Sequence, residues 1–250
     1  MEVTLINYTQ NALETLLYTK NTRLQGAQSL QDIIDWPIEQ KLGHLSYMKD
    51  TIQSSWEFSD YIFEIKGVTR AFTHQFVRTR QGSYAQESQR TVDVRDSIVI
   101  NTSDMQLFSE VSEFILDAYG EMIDSGIQVQ DARGILPTNI STSIIAKFDL
   151  RTIHNMALVR LCTRTQGEYQ KVFKAMVDEI VKVHPWAEEF IKVHCAWYGT
   201  CAFPRYTECP IQEFTLDRLV DLKGHKREIE KAWIETNHVA NPIAKNGMTQ

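Results

Sequence analysis

The chain has 250 residues, 43% of them hydrophobic and 23% charged, with a formal net charge of −6 at pH 7. That size and composition suffice to bury a core in one large domain or two small ones. The acidic balance excludes a protein that coats nucleic acid, because such proteins carry a basic excess that displaces counterions from phosphates; a local basic pocket for one small phosphate stays open.

The opening MEVTLINY has no basic segment followed by a long apolar run, and no stretch approaches the roughly 18 apolar residues of a membrane helix. The expectation is a soluble, cytoplasmic protein. Alternating apolar residues over 1–8 predict a strand, and the chain to about Gln53 reads mainly as helices broken by Gly26, Pro37 and Gly43. Residues 61–68 alternate again, with Tyr61, Phe63 and Ile65 on one face of a strand ended by Gly67, and a helix is predicted from Thr69 to about Arg80. Residues 81–89 carry neither period and read as a loop, followed by a strand over 92–100.

A helix is predicted over 105–125, with Phe108, Val111, Ile115, Tyr119 and Met122 at helical spacing, a capping box of Ser103 and Gln106, and Gly126 as the stop. Two further helices, 150–163 and 166–184, precede Pro185; the second repeats Val172, Phe173, Met176, Val177 and Ile180 along one side. Helix dominates over a small sheet without internal repeats, so residues 1–250 read as a single α+β domain.

Cys162, Cys195, Cys201 and Cys209 are too few and too unevenly spaced for a secreted disulfide framework, and reduced thiols are expected. His194, Cys195, Cys201 and Cys209 are the one conceivable zinc set. They contain no CxxC pair and match no common zinc module, so no metal is expected.

The most informative stretch is His74-Gln75-Phe76-Val77-Arg78-Thr79-Arg80, then seven residues, then Ser88-Gln89-Arg90. On a helix Gln75 and Arg78 share a face, and a loop folding back from Arg80 brings Ser88 and backbone N–H groups to the same ligand. Guanidinium forks give bidentate, charge-assisted bonds to phosphate. The plainer alternative is a solvated helix end, with Arg78 and Arg80 near the negative end of the helix dipole.

Arg78-x-Arg80-x7-Ser88 resembles the Arg-His-Arg-x7-Ser signature of the flavin-dependent thymidylate synthases, with Thr79 in place of the histidine. Trp56-Glu57, with Ser54 at a hydroxyl position, resembles that family's His-Glu-(Thr/Ser)-Pro-Phe-Glu-His segment, although Ile52, Ser55 and Phe58 stand at its His, Pro and His positions. Ala132-Arg133-Gly134-Ile135-Leu136-Pro137-Thr138-Asn139 resembles Ala-Arg-x-x-Leu-Pro-x-x. Leu150-Arg151-Thr152-Ile153-His154-Asn155 resembles Ala-Arg-Ser-Leu-x-Asn. Arg160, Gln166 and Glu168 fall on Leu-Arg-x-x-x-x-Ala-Gln-x-Glu, and Pro185-Trp186 on a late landmark. The resemblance is clear over 54–186, loose before that, and absent from the tail over 198–250.

The resemblance implies a homotetramer with active sites at subunit interfaces. It implies that FAD, with methylenetetrahydrofolate as carbon donor and NADPH as reductant, serves the conversion of dUMP to dTMP without an attacking cysteine. Gln75, Arg78, Glu87, Ser88, Gln89, Arg90, Arg133 and Arg160 would then bind the nucleotide, with Arg160 as the catalytic group. Ser54, Glu57, Arg78, Thr79, Arg80, Arg151 and Asn155 would hold the flavin. Structural readings stand beside these: Glu57 and Arg151 as surface charges, Asn155 as a helix residue facing a neighbour, His74 and the cysteines as packing.

Thr79, Ile52 and Arg164 each replace a family histidine, Asp149 an asparagine and Gln130 a glutamate. These departures keep two alternatives open: one-carbon transfer, as methyl or hydroxymethyl, to a different pyrimidine nucleotide such as UMP or dCMP, or a protein that binds nucleotide without turnover.

Overall fold

A computed structural model of the protein describes residues 1–22, 29–51, 53–100, 106–203, 205 and 209. In chain order the elements are β1 (Glu2–Tyr8), α1 (Ala12–Thr19), α2 (Leu30–Ile34), α3 (Ile38–Thr51), β2 (Asp60–Thr69), α4 (Arg70–Phe76), β3 (Ser83–Gln86), α5 (Gln106–Asp124), α6 (Val129–Ala132), β4 (Ser141–Asp149), α7 (Leu150–Arg160), α8 (Gly167–Val183) and α9 (His194–Tyr198). The strands form one antiparallel sheet in the order β1-β2-β4-β3, so the α+β class with helix in excess is as expected. Among the described residues no helix is long and apolar enough to cross a membrane.

The chain divides into two compact units, one of Met1–Thr4 with Phe63–Ala146, the other of Leu5–Ile62 with Lys147–Gln250. The first unit is centred on buried Val94, Tyr119, Ala132 and Ile140, against which Leu116, Met122, Ile123 and Leu136 pack. α5 presents that face because its apolar residues recur every three or four positions, and Gly126, at φ 87°, ends the segment in a conformation that side chains resist. The second unit buries the predicted face of α8, with Val172, Phe173, Met176, Val177 and Ile180 all inaccessible. Trp56 stands edge-on to His154, Phe190 and Trp197 at 5.1, 4.8 and 6.2 Å.

Several expectations are corrected. The predicted strand over 92–100 is a run of turns with a single bridge, Val99 to Ile140, because polar side chains capture the backbone locally: Asp93 accepts from the Arg95 N–H at 3.0 Å. β3 lies inside the predicted loop; its pairing comes from backbone bonds at the sheet edge, not from a buried face. α4 ends at Phe76, one turn short of Arg80, since the Tyr84 hydroxyl reaches the Thr79 carbonyl at 2.7 Å and that of Phe76 at 3.1 Å. β4 was not anticipated, although Thr142, Ile144, Ala146 and Phe148 alternate inward.

α3 runs through Gly43, where one glycine costs a helix only about 1 kcal/mol. β2 continues past Gly67, whose φ of 65° accommodates an approach in which an added Cβ would lie 3.2 Å from the Met1 nitrogen. The break at Pro37 does fall between α2 and α3. Gly26, Ile52, and the Ser103 and Met105 expected at the start of the helix over 105–125 lie outside the described residues, as does nearly all of the tail.

Glu188 in the second unit is 0% exposed, and neither carboxylate oxygen has a hydrogen-bond partner among the described residues. Burial pushes its pKa up to about 7 against the pull of Lys192, with Glu189 and Asp178 adding to the rise. The folded state therefore holds a proton that the unfolded chain has released, and stability is full below about pH 4.5 and lost as the pH rises through about 7. Glu188→Gln should raise stability at pH 8 by on the order of 2–3 kcal/mol and change little at pH 4.5, read from melting temperatures.

Candidate active site

In the first unit, α4 opens on Thr69, whose Oγ1 accepts from the Phe72 N–H at 2.9 Å. Gln75 is exposed in its last turn, but Arg78 falls beyond the helix end, so the shared helical face expected for the two does not form. The chain reverses instead through Arg78 N–H to Gln75 O, Thr79 N–H to Phe76 O, and Gly82 N–H to Thr79 O, at 3.2, 3.2 and 3.1 Å. This turn leaves Arg78 and Arg80 exposed and Thr79 half-buried.

Past β3, Glu87 is fixed to β4. Its carboxylate accepts from the Ser143 N–H at 3.0 Å and the Thr142 hydroxyl at 3.3 Å, and its own N–H donates to Ser143 O at 3.0 Å. Ser88 Oγ accepts from the Arg90 N–H at 3.2 Å, a local turn that exposes both residues. Between them the Gln89 side-chain nitrogen is buried with no acceptor among the described residues. A donor in that state costs about 1–3 kcal/mol unless a ligand answers it.

Sequence reasoning missed Arg70. Its Nη1 donates to the Glu87 carbonyl at 3.2 Å. Burial and then the neighbouring Arg133 charge hold its pKa below the usual arginine value, against the pull of Glu87. Arg70 thus has a like charge, Arg133, as a neighbour, an arrangement that an anion would relieve. Arg70 lies outside the arginine signature, at the head of the helix that leads into it.

In the second unit, Ser54 and Glu57 are exposed on the turn Gln53–Phe58, anchored by buried Trp56. α7 begins at Asp149, whose Oδ1 accepts from the Thr152 N–H at 2.6 Å; asparagine would cap equally well, which explains this departure from the family pattern. Arg151 Nη1 donates to Glu57 Oε1 at 2.5 Å, and exposed Asn155 follows one turn later on the same face. The adjoining buried face carries His154, whose Nδ1 lies 2.7 Å from the Phe190 carbonyl and whose burial lowers its pKa, so it is a neutral packing residue. Arg160 closes the helix with its guanidinium over the Tyr169 ring, and Arg164 lies over Phe203.

All four cysteines are free. Burial, and then its cysteine neighbours, push the Cys195 thiol up to about 12, and burial raises Cys162 as well, so neither is a thiolate nucleophile near neutrality. Among the described residues no group of histidine, cysteine and carboxylate side chains is spaced to hold a metal ion.

Charge pairing separates structural cations from available ones. Lys41, Lys49, Lys66, Arg95, Lys147 and Arg151 each have a carboxylate within 3.0 Å. Arg78, Arg80, Arg90, Arg133 and Arg160 have none among the described residues, in a chain with 32 acidic against 26 basic residues. Unpaired guanidiniums concentrated in the motif segments of an acidic α+β protein leave donors open to an anionic ligand.

Residues 4–186 match the family model described as thymidylate synthase complementing protein. The flavin-dependent thymidylate synthase of Pyrococcus furiosus is 32% identical over 222 residues, covering 80% of this chain and 89% of the relative. That of Pyrococcus horikoshii is 33% identical over the same shares. In fold, the chain is similar to thymidylate synthase X of Helicobacter pylori, crystallised with FAD and dUMP, with a TM-score of 0.63 and 20% identity over 77% of this chain and 100% of that one. The chain belongs to the flavin-dependent thymidylate synthase family and is an enzyme.

Proposed function

We propose that this enzyme transfers a one-carbon unit from methylenetetrahydrofolate to C5 of dUMP, giving dTMP, with FAD as cofactor and NADPH as reductant. The observation that carries the reading is the set of five motif arginines without carboxylate partners among the described residues. Arg90, Arg133 and Ser88 meet the nucleotide phosphate, with Gln75, Arg78, Glu87 and Gln89 lining the same ligand. The buried Gln89 amide gains the acceptor it otherwise lacks.

The donor chemistry fits FAD. In the first unit Arg78, Thr79 and Arg80 offer guanidinium and backbone donors suited to a pyrophosphate, and in the second Ser54, Arg151 and Asn155 offer donors suited to a flavin. Glu57 holds the Arg151 guanidinium in place. Bound FAD supplies the redox chemistry that the side chains lack. Arg160 stabilises negative charge on the pyrimidine as C5 becomes nucleophilic, which is electrostatic catalysis in place of cysteine attack. The raised thiols of Cys162 and Cys195 suit that division of labour.

The family match runs through both compact units, which supports their acting as one functional domain. A homotetramer is supported by α5, which exposes Leu107, Val111 and Phe114, one turn apart, at 59, 47 and 73%. Leu107 and Val111 line an apolar cavity of about 420 Å³ together with Phe108, Ile115 and Pro137. Exposed apolar patches of this kind mark interfaces. Light scattering should read four chains; a monomer mass would contradict it. Four free cysteines suit the reducing cytoplasm.

Purified protein should be yellow and bleach with NADPH under anaerobic conditions. A colourless protein that binds only dUMP would replace the catalytic reading with nucleotide binding.

A further inference from the structure

The guanidinium of Arg160 lies 4.3 Å from the centroid of the Tyr169 ring. Tyr169 is 0% exposed in the first turn of α8, so the ring is a fixed plate and not a mobile surface group. The turn joining α7 to α8 is itself braced. The Gln170 amide donates to the carbonyls of Leu161 and Cys162 at 3.2 and 3.0 Å, and the Thr165 hydroxyl to that of Val159 at 2.8 Å. Ring and guanidinium are therefore held by neighbouring parts of one tightened corner.

The kind of contact matters as much as the distance. A carboxylate would fix Arg160 by consuming two of its N–H donors and cancelling its charge. A ring attracts the cation through its electron-rich face and leaves the five donors of the guanidinium edge available. Arg160 has no carboxylate or hydrogen-bond acceptor among the described residues, so the ring is what orients it there.

We infer that Tyr169 is a positioning residue for the reaction, holding the Arg160 guanidinium over its ring with every N–H donor left for the anionic pyrimidine. The inference rests on the reading of Arg160 given above. The phenol oxygen has no part in it; the ring does, so aromaticity at 169 and planarity at 160 are the requirements.

The test compares Tyr169→Phe, Tyr169→Leu and Tyr169→Met for kcat with dUMP, alongside melting temperature. Tyr169→Phe should retain kcat within about twofold. Tyr169→Leu and Tyr169→Met should lose about tenfold, the scale of a partly desolvated cation–π contact. In the Arg160→Ala background the same ring removals should cost nothing further in kcat, which a merely structural tyrosine would not satisfy. Ring removal at the parent rate, or an equal further loss in the Arg160→Ala background, overturns the role of Tyr169 alone. Should the non-aromatic variants fail to fold, a tenfold loss in Tyr169→Phe still overturns it. Parent turnover by Arg160→Ala would instead sink the assignment of Arg160 on which the inference rests.

Discussion

Replacing Arg160 with alanine should lower kcat for dTMP formation by about 10²–10³-fold while leaving the flavin absorbance of the purified enzyme unchanged. A fixed positive group aimed at the ring oxygen or nitrogen does its work only as negative charge develops there, so the loss falls on the transition state and not on cofactor binding. Arg160 suits that task because it is half-buried, oriented by a ring and without a carboxylate partner among the described residues, whereas Arg151 on the same helix is held by Glu57. Steady-state turnover with the absorbance spectrum checks it. Retained activity would refute the role; loss of the flavin spectrum would move Arg160 to the cofactor.

Arg133→Ala should raise the KM for dUMP roughly 10- to 150-fold with a smaller change in kcat, since a charge-assisted bond to phosphate contributes about 1.5–3 kcal/mol in ground state and transition state alike. Arg133 has no carboxylate partner among the described residues and lies close enough to Arg70 to lower the proton affinity of that group, a repulsion that a bound phosphate turns into attraction. Arg133→Lys should recover only part of the loss, because an ammonium cannot grip two phosphate oxygens as a planar fork. Arg95→Ala is the control. Its guanidinium is already committed to Asp93 and Asp124 at 2.7 and 2.9 Å, so KM should not move. An unchanged KM in Arg133→Ala would remove the residue from the nucleotide site.

What the sequence disclosed follows from the kind of signal each feature leaves. α8 and β2 were legible because one face of each is buried and the apolar residues keep its period; α5 keeps the helical period although only Tyr119 on it is fully buried. β3 left no such trace: it is held by backbone bonds to its neighbour, and its side chains alternate only between exposed and half-buried. Residues 92–100 show the reverse error, where Val92, Val94, Ile98 and Ile100 mimic a strand while Asp93 and Arg95 fold the backbone into turns. β4 is written in the alternation of Thr142, Ile144, Ala146 and Phe148, the inward face of the strand.

The candidate site was legible as a list of arginines but not as a geometry. Spacing placed Gln75 and Arg78 on one helical face; Tyr84, distant by eight residues from Phe76, ends the helix before that face forms. No motif pointed to Arg70 or Tyr169, because their value lies in what they stand beside. Two departures from the family pattern have local accounts: Asp149 caps α7, and Arg164 stacks on Phe203. Thr79 occupies a turn whose carbonyl is taken by Tyr84, and nothing in the structure explains the loss of imidazole there.

The central claim is one-carbon transfer to C5 of dUMP. Mass spectrometry of the nucleotide after incubation of the enzyme with FAD, NADPH, methylenetetrahydrofolate and dUMP tests it most directly, with UMP and dCMP run in parallel. A dTMP product from dUMP is the expected result. A one-carbon gain on UMP or dCMP alone, or on none of the three, would contradict it.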